Sequence, residues 1–244
     1  MQNKDTNVFD RDSTSVNRKD KHTTRVAISI IAFTAISFVM RYFSLKIPFM
    51  PSFISIEFSV FPELIATIAY GPIIGATVCL LKTAIHIGIV ETALISDISS
   101  LLVELVFVLT AGIYYRNTIL GTRKRKNKSK NKSNIHRRTA IIKGGFLGII
   151  PALIIQFLMA NFFVFPMFDK YYGKYGYSFD KMLLAFNDAL HRISSNAPQL
   201  KAMWQGILAI NIPLSFIKLT LVVLITALIY PAISPYLHFK KHSK

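Results

Sequence analysis

Long apolar runs separated by short polar stretches dominate the chain. Most of these runs approach the ~20 residues that an α-helix needs to cross the hydrocarbon core of a bilayer. They predict six spans, which are Val26–Leu45, Phe58–Tyr70, Pro72–Val90, Ile98–Tyr115, Ala140–Phe168 and Trp204–Tyr230. The fold class predicted from this pattern is an all-α integral membrane protein with six transmembrane helices.

The segments between the spans are polar and differ in length. Lys46–Ile56 contains Pro48 and Pro51 and is predicted to be a loop, because proline cannot donate the backbone hydrogen bond of a regular element. Asp169–Lys201 is a longer polar segment, within which Ser178–Ile193 is predicted to form a short amphipathic surface helix.

Charge orients the predicted spans in the membrane. Only 17% of the residues are charged, whereas a soluble domain usually carries about a quarter. The formal net charge is nevertheless +17, and no acidic residue lies between Glu104 and Asp169. Because Lys and Arg accumulate in cytoplasmic loops, we predict a basic cytoplasmic loop over residues 116–139 and cytoplasmic N- and C-termini. The predicted organisation is a disordered tail (residues 1–25), a membrane domain (26–237) and a basic tail (238–244).

The basic loop raises the alternative of a nucleic-acid partner. Proteins that bind single strands place aromatic side chains among their basic residues so that the bases can stack, and the loop lacks this pattern. We therefore predict no nucleic-acid partner. Contact with anionic membrane lipids is the predicted role of the loop, with simple solvation as the alternative.

Motifs of catalysis and metal binding are absent from the sequence. It contains no GxxxxGK[ST] phosphate loop, no HExxH and no nucleophile elbow. The six histidines do not cluster with carboxylates at metal-ligand spacing. Cys79 is the only cysteine, so no intrachain disulfide forms. We predict neither an enzyme activity nor a metal or cofactor.

Three ionisable residues, Glu63, Lys82 and His86, interrupt the apolar hairpin of the second and third spans. A charge at this depth costs roughly 2.5–3.5 kcal/mol on insertion scales, so it faces a partner or a cavity. At about 1.5 Å per residue, Glu63 lies about 12 Å before the turn at Gly71 and Lys82 about 16 Å after it. This spacing predicts a Glu63–Lys82 ion pair, which either pins the hairpin or contributes to a ligand site.

The fourth span adds two carboxylates to this region. Glu104 lies within the span and Asp97 at its outer edge. Each is an alternative ion-pair partner for Lys82 or for Lys218 of the sixth span, and the sequence leaves these pairings open.

Uncharged polar side chains and one lysine mark the fifth and sixth spans. Asn161 lies toward the outer end of the fifth span and Gln156 lies deeper, while Ser215 and Lys218 share one face of the sixth. These groups predict either a site for a polar small molecule or hydrogen bonds between helices. The candidate apolar walls of such a site are Phe162, Phe163, Phe165, Trp204 and Phe216.

The order of short motifs resembles a known family. The motifs are Phe61–Ile65, Tyr70–Gly75, Phe107–Tyr114, Asn161–Pro166 and Pro213–Lys218. Over about residues 26–237, the chain resembles the substrate-binding S component of energy-coupling factor (ECF) vitamin transporters, and most of all the riboflavin-specific type. The resemblance implies a multi-pass protein of the bacterial plasma membrane that captures a vitamin from outside. It also implies partners, namely a transmembrane coupling subunit and two cytoplasmic ATPases.

The resemblance also implies functional residues. In riboflavin-binding members an Asn on the fifth helix and an Asn and a Lys on the sixth hold the ring system; Asn161 and Lys218 match two of these, and Ser215 replaces the second Asn. The full set of expected substrate-binding residues is Lys82, His86, Asp97, Asn161, Phe165, Ser215, Phe216 and Lys218. The expected interface with the coupling subunit comprises Ser29, Ala32, Ala35 and Ile36, where Ile36 replaces the second of two alanines four residues apart.

Three alternatives stay open at the level of sequence. A serine hydroxyl lacks the paired donor and acceptor of an amide, so Ser215 leaves room for another vitamin or small organic nutrient in place of a flavin. A membrane-embedded enzyme would use Glu63, Glu104 and His86 in one cavity. A scaffold without a small ligand would fill its outward-facing pocket with its own side chains.

Overall fold

A computed structural model describes the backbone of residues 5–43, 45–46, 55–90, 94–123, 130–172 and 178–237. The helices are α1 (Asp5–Tyr42), α2 (Val60–Tyr70), α3 (Pro72–Ile89), α4 (Leu94–Arg123), α5 (Lys130–Met159), α6 (Phe165–Tyr172), α7 (Phe179–Ile193), α8 (Met203–Gly206) and α9 (Ile212–Leu237). Two π-helical segments, Ala160–Val164 and Ile207–Asn211, join α5 to α6 and α8 to α9. The predicted basic tail, residues 238–244, lies outside the described residues.

Five stretches of helix among these residues are long and apolar enough to cross a membrane. They are Thr23–Tyr42, Pro72–Ile89, Leu94–Leu120, His136–Met167 and Met203–Ser234. The predicted second span is also a helix, but α2 has only 11 residues, which gives about 16 Å at 1.5 Å per residue. The predicted all-helical architecture is confirmed, while α2 by itself is too short for the ~30 Å hydrocarbon core.

Two helices extend further than the sequence predicts. α1 begins at Asp5, so the segment predicted as a disordered tail is helical from that residue onward. No proline or glycine occurs before Pro48, so nothing stops the helix from propagating outward from the apolar span. The predicted loop over residues 116–139 is likewise helical up to Arg123 and again from Lys130, because Lys and Arg favour helices.

The segment between α1 and α2 contains a minimal antiparallel ladder instead of a plain loop. Leu45 pairs with Ile56 and Lys46 with Ser55. The prolines of the predicted loop, Pro48 and Pro51, lie in the part between these strands that is outside the described residues. The ladder holds the two ends of this segment together.

Hydrogen bonds fix α2 antiparallel to α1. Ser37 Oγ donates to the Ser59 carbonyl oxygen at 2.6 Å, and Ser29 Oγ donates to Tyr70 Oη at 2.9 Å. The residues before α2 therefore lie level with Ser37 in the C-terminal part of α1, and the end of α2 lies level with Ser29. Gly71, with φ 113°, then reverses the chain into α3, a backbone conformation that favours glycine.

The bundle buries two separate apolar clusters. The larger lies among α2, α3, α4, α5 and α9 and includes Leu64, Phe107 and Val222. The smaller brings α7 together with both π-helical segments through Phe186, Ala160, Ile207 and others. The predicted amphipathic helix is thus confirmed as α7, with its apolar side packed on the C-terminal end of α5 and the N-terminal end of α9.

Helices α5 and α9 pack closely and antiparallel. A Cβ atom placed on Gly145 would lie 2.6 Å from Val223 Cγ1, so glycine permits the approach. Farther along, Gln156 of α5 contacts Asn211 and Ser215 beside and within α9. A residue farther along α5 thus contacts residues earlier in the chain near or within α9, as expected for antiparallel helices. These contacts fix the register of the two helices.

Candidate functional site

A fully buried ion triad lies at the centre of α2, α3 and α4. Lys82 Nζ is 2.6 Å from Glu63 Oε1 and 2.7 Å from Glu104 Oε2. The predicted Glu63–Lys82 pair is therefore confirmed, and Glu104 is its third member. The triad binds three helices together through charge-assisted hydrogen bonds, which are roughly twice as strong as neutral ones.

Short polar side chains surround the triad. Ser37 Oγ lies 3.0 Å from Glu63 Oε1, and Cys79 Sγ donates to Glu63 Oε2 at 3.1 Å. Lys82 Nζ donates also to Ser59 Oγ at 3.1 Å. Because Ser37 lies on α1, the network reaches a fourth helix. Lys82 has no exposed surface in this structure, so its contact with a ligand would require helix movement; that role stays a prediction.

A second charged group lies where the C-terminal ends of α1 and α3 meet the start of α4. Arg41 of α1 donates from Nη2 to Asp97 Oδ1, while His86 Nδ1 lies 2.6 Å from Asp97 Oδ2. Arg41 Nε is also 3.9 Å from Glu57 Oε2. Asp97 therefore pairs with Arg41 and His86 rather than with either lysine considered from the sequence. This group joins the start of α4 to the ends of α1 and α3.

Two aromatic rings lie close to His86 in this second charged group. The centroids of the Phe38 and Tyr42 rings lie 6.5 Å and 6.0 Å from that of the imidazole. The Asp97 side chain is 1% exposed and that of His86 13%. A ligand that reached this region would meet the imidazole edge before the carboxylate.

The geometry differs from that required by the enzyme alternative. His86 bonds to Asp97, whereas Glu63 and Glu104 bond to Lys82. No group of three or more metal-ligating side chains occurs within the part of the chain that the structure describes. The three residues therefore belong to two separate hydrogen-bonded groups.

A polar trio lies between α5 and α9. Gln156 Nε2 donates to Ser215 Oγ at 2.6 Å and to Asn211 Oδ1 at 3.2 Å. Asn211 ends the second π-helical segment, and Ser215 follows it by four residues in α9. The interhelical hydrogen bonds considered from the sequence are present, and they include an asparagine that sequence reasoning did not single out.

Asn161 and Lys218 lie at different depths on either side of this trio. Gly145 lies opposite Val223 and Gln156 lies opposite Asn211, so the same register places Asn161 level with Leu208. Leu208 precedes Lys218 by ten residues. At 1.5 Å per residue the separation along the bundle is about 15 Å. Both side chains are partly buried. A ligand that contacts both must therefore be elongated and must pass the trio.

The aromatic candidates divide into buried and exposed side chains. Phe165 is buried and packs edge-on against Phe186 of α7, with ring centroids 6.1 Å apart. Phe216 is 44% exposed and Phe162 is 71% exposed. Phe165 thus stabilises the α7 cluster, while Phe162 and Phe216 have free surface toward a ligand or lipid.

The predicted coupling interface on α1 is partly exposed. Ala32, Ala35 and Ile36 lie on an exposed apolar face. Ser29, in contrast, hydrogen-bonds to Tyr70 of the same chain. The small-residue face therefore consists of the two alanines and their apolar neighbours, and Ser29 lies at its edge.

Comparison with solved structures identifies the fold. The chain resembles a protein described as the S component of a bacterial ECF transporter, with a TM-score of 0.54 and 20% sequence identity. The match covers 88% of this chain and 99% of that structure. The bundle described above is therefore the S-component fold.

The family is established by sequence. A model of ECF transporter substrate-specific components matches residues 26–230, and the chain belongs to this family. It is a multi-pass membrane transport component and not an enzyme. Substrate-specific components work with an ECF module of transmembrane and ATPase subunits and bind vitamins.

A shorter match connects the chain to one curated relative. It is 32% identical over 90 residues to the riboflavin transporter RibU of Staphylococcus aureus (strain TCH60). The aligned segment spans 37% of this chain and about half, 48%, of the relative.

Proposed function

We propose that this protein captures riboflavin or a related flavin from outside the cell and delivers it inward with an ATP-driven coupling module. The observation that carries the proposal is the row of polar side chains along the seam between α5 and α9. From outside to inside the row contains Asn161, Asn211, Gln156, Ser215 and Lys218. It has the length and the hydrogen-bonding capacity to hold an elongated polar ring system.

Two further observations support the proposal. The relative with 32% identity over 90 residues is a riboflavin transporter. Phe162, which follows Asn161 in the chain, and Phe216, which follows Ser215, expose aromatic surface, and flat apolar walls with few polar groups are typical of small-molecule sites. In this proposal Asn161, Ser215 and Lys218 contact the ring, and no cofactor other than the ligand is required.

We also propose six membrane crossings with both termini in the cytoplasm of a bacterial cell. The end of α2 lies level with Ser29, near the start of the apolar part of α1 (Thr23–Tyr42), so the residues leading into α2 and the helix itself complete a return crossing. The basic ends of α4 and α5 then lie on the same side as the termini, as the positive-inside bias requires. The exposed face with Ala32, Ala35 and Ile36 is available for the coupling subunit.

Cysteine labelling tests this orientation. Cys79 is the only cysteine and is fully buried, so the background reaction is expected to be low. Ser195→Cys, at an exposed site after α7, is expected to react with a membrane-impermeant maleimide in intact cells. Asn117→Cys, at an exposed site near the inner end of α4, is expected to react only after permeabilisation. Labelling of both sites in intact cells would contradict the topology.

Quenching of riboflavin fluorescence by the purified protein tests the ligand. Lys218→Met is expected to weaken binding at least about tenfold, because a hydrogen bond to a charged donor contributes roughly 1.5–3 kcal/mol. Lys143→Met replaces an exposed lysine at the inner end of α5 and is expected to bind like wild type. Wild-type protein that leaves riboflavin fluorescence unchanged would refute the flavin proposal.

A second candidate is another vitamin or small organic nutrient. Ser215 favours it, since the serine occupies the position where riboflavin-binding members carry an amide. Thermal-shift measurements with the B vitamins distinguish the candidates, because a bound ligand raises the melting temperature as its concentration exceeds the dissociation constant. A shift with another vitamin and none with riboflavin would establish this alternative.

A further inference from the structure

The trio of Gln156, Asn211 and Ser215 presents a defined pattern of unused donors and acceptors. A glutamine amide has two N–H donors and one carbonyl acceptor. The two contacts of Gln156 Nε2, to Ser215 Oγ and Asn211 Oδ1, use both donors. They leave Gln156 Oε1 as an acceptor and Asn211 Nδ2 as a donor.

These two atoms are accessible to a ligand. Neither atom has a hydrogen-bond partner among the described residues. Neither is one of the fully buried side-chain atoms that are left without a partner. The side chains of Gln156 and Asn211 are both partly exposed. An unused acceptor and an unused donor therefore belong to two side chains that are joined by a hydrogen bond.

This pattern selects a chemical class. A neighbouring acceptor and donor complement an N–H group next to a carbonyl, which is the edge of a cyclic amide, imide or ureide. A carboxylate ligand offers only acceptors and an ammonium only donors, so each would satisfy half of the pair. Lys218, one turn deeper than Ser215, adds a donor that suits the second carbonyl of an imide.

We propose that Gln156 and Asn211 determine ligand specificity by binding a cyclic amide or imide edge, with Gln156 Oε1 accepting from the ligand N–H and Asn211 Nδ2 donating to its carbonyl. The inference rests on the proposed function to the extent that the ligand enters from the outer side. The pair supplies the amide chemistry that Ser215 lacks. A site built for an N–H rejects analogues without it, so this pair gives a chain with serine at this position a means of discriminating between ligands.

Asn211→Asp separates ligand recognition from a purely structural role. The aspartate retains an oxygen that accepts from Gln156, so the contact between α5 and α9 is preserved, but the ligand-facing donor becomes an acceptor. Riboflavin affinity is expected to fall at least about tenfold, and the melting temperature of the unliganded variant is measured beside it, because a carboxylate in a membrane-spanning helix carries its own cost. The matched control is Asn196→Asp at an exposed site outside the seam. Unchanged affinity of Asn211→Asp would overturn the inference.

A modified ligand tests the same contact without depending on the folding of a variant. Riboflavin methylated at its ring imide nitrogen lacks the N–H donor and is expected to bind wild type at least about tenfold more weakly than riboflavin. In Gln156→Ala the ratio of the two affinities is expected to approach one. Equal binding of the two ligands by wild-type protein would overturn the inference even though the flavin proposal stood.

The outcomes for the two proposals are distinguishable. If riboflavin fails to bind, but another B vitamin with a cyclic amide, imide or ureide edge binds and is weakened by Asn211→Asp, the inference stands without the flavin. If the B vitamin that binds lacks such an edge, or if none binds, the inference is overturned, while membership of the family is unaffected.

Discussion

Lys82→Met is expected to destabilise the protein by about 3–5 kcal/mol, the usual cost of leaving buried charges without their partner. Lys82 neutralises two carboxylates, Glu63 and Glu104, at 2.6 Å and 2.7 Å. Without the ammonium these groups repel each other in an interior that offers no solvent. Unfolding of the purified protein in mild detergent, followed by tryptophan fluorescence or circular dichroism, measures the change.

Two variants control this prediction. Lys201→Met removes an exposed lysine and is expected to leave stability within about 0.5 kcal/mol of wild type. Combining Lys82→Met with Glu63→Gln and Glu104→Gln removes all three charges, and is expected to recover most of the loss because a neutral group can replace a buried ionic one. A stable Lys82→Met single variant would show that the triad does not hold the helices together.

Gly75→Ala is expected to destabilise the hairpin of α2 and α3 by about 1–3 kcal/mol, as overpacking of a filled core does. The added Cβ would overlap Thr67 Oγ1 and lie 2.8 Å from Thr67 Cβ and 3.0 Å from its Cα. Thr67 cannot move away, because its Cγ2 already fills the space beside Gly112 of α4. Thermal unfolding in detergent measures the effect.

Gly88→Ala is the matched control, since a Cβ at Gly88 meets no atom within 4 Å. This variant is expected to be neutral or slightly more stable, because alanine favours a helix over glycine by roughly 0.5–1 kcal/mol. Adding Thr67→Ala to Gly75→Ala removes the closest overlapping atom and is expected to restore part of the stability. Equal unfolding of Gly75→Ala and Gly88→Ala would contradict the proposed close contact.

The helical bundle and its central ion pair follow from the sequence because they depend on local properties. Apolar runs identify the spans, and the rise per residue places Glu63 opposite Lys82 across the turn at Gly71. Glu104 was an alternative partner of Lys82 or Lys218 from the sequence, and the choice of Lys82 could not be predicted because the face that α4 turns toward this pair depends on packing between distant segments. The pairing of Asp97 with Arg41 depends on the same tertiary arrangement.

The polar seam was only partly predictable. Asn161, Ser215 and Lys218 stand out as polar groups in apolar runs, and the expectation that they bind ligand stays a prediction. Their separation in depth depends on the register of α5 against α9, which side-chain packing around Gly145 sets. Asn211 was not singled out although it is a polar residue within the predicted span Trp204–Tyr230, because its pairing with Gln156 depends on the same register of the two helices.

The π-helical segment Ile207–Asn211 affects how this chain should be aligned with others. A π-helical turn accommodates an extra residue compared with an α-helical turn, and one residue corresponds to about 100° of rotation at 3.6 residues per turn. A homologue with a regular helix here would therefore need a one-residue gap between Ile207 and Asn211. Without that gap, every position on one side of the segment would be paired with a side chain facing a different direction.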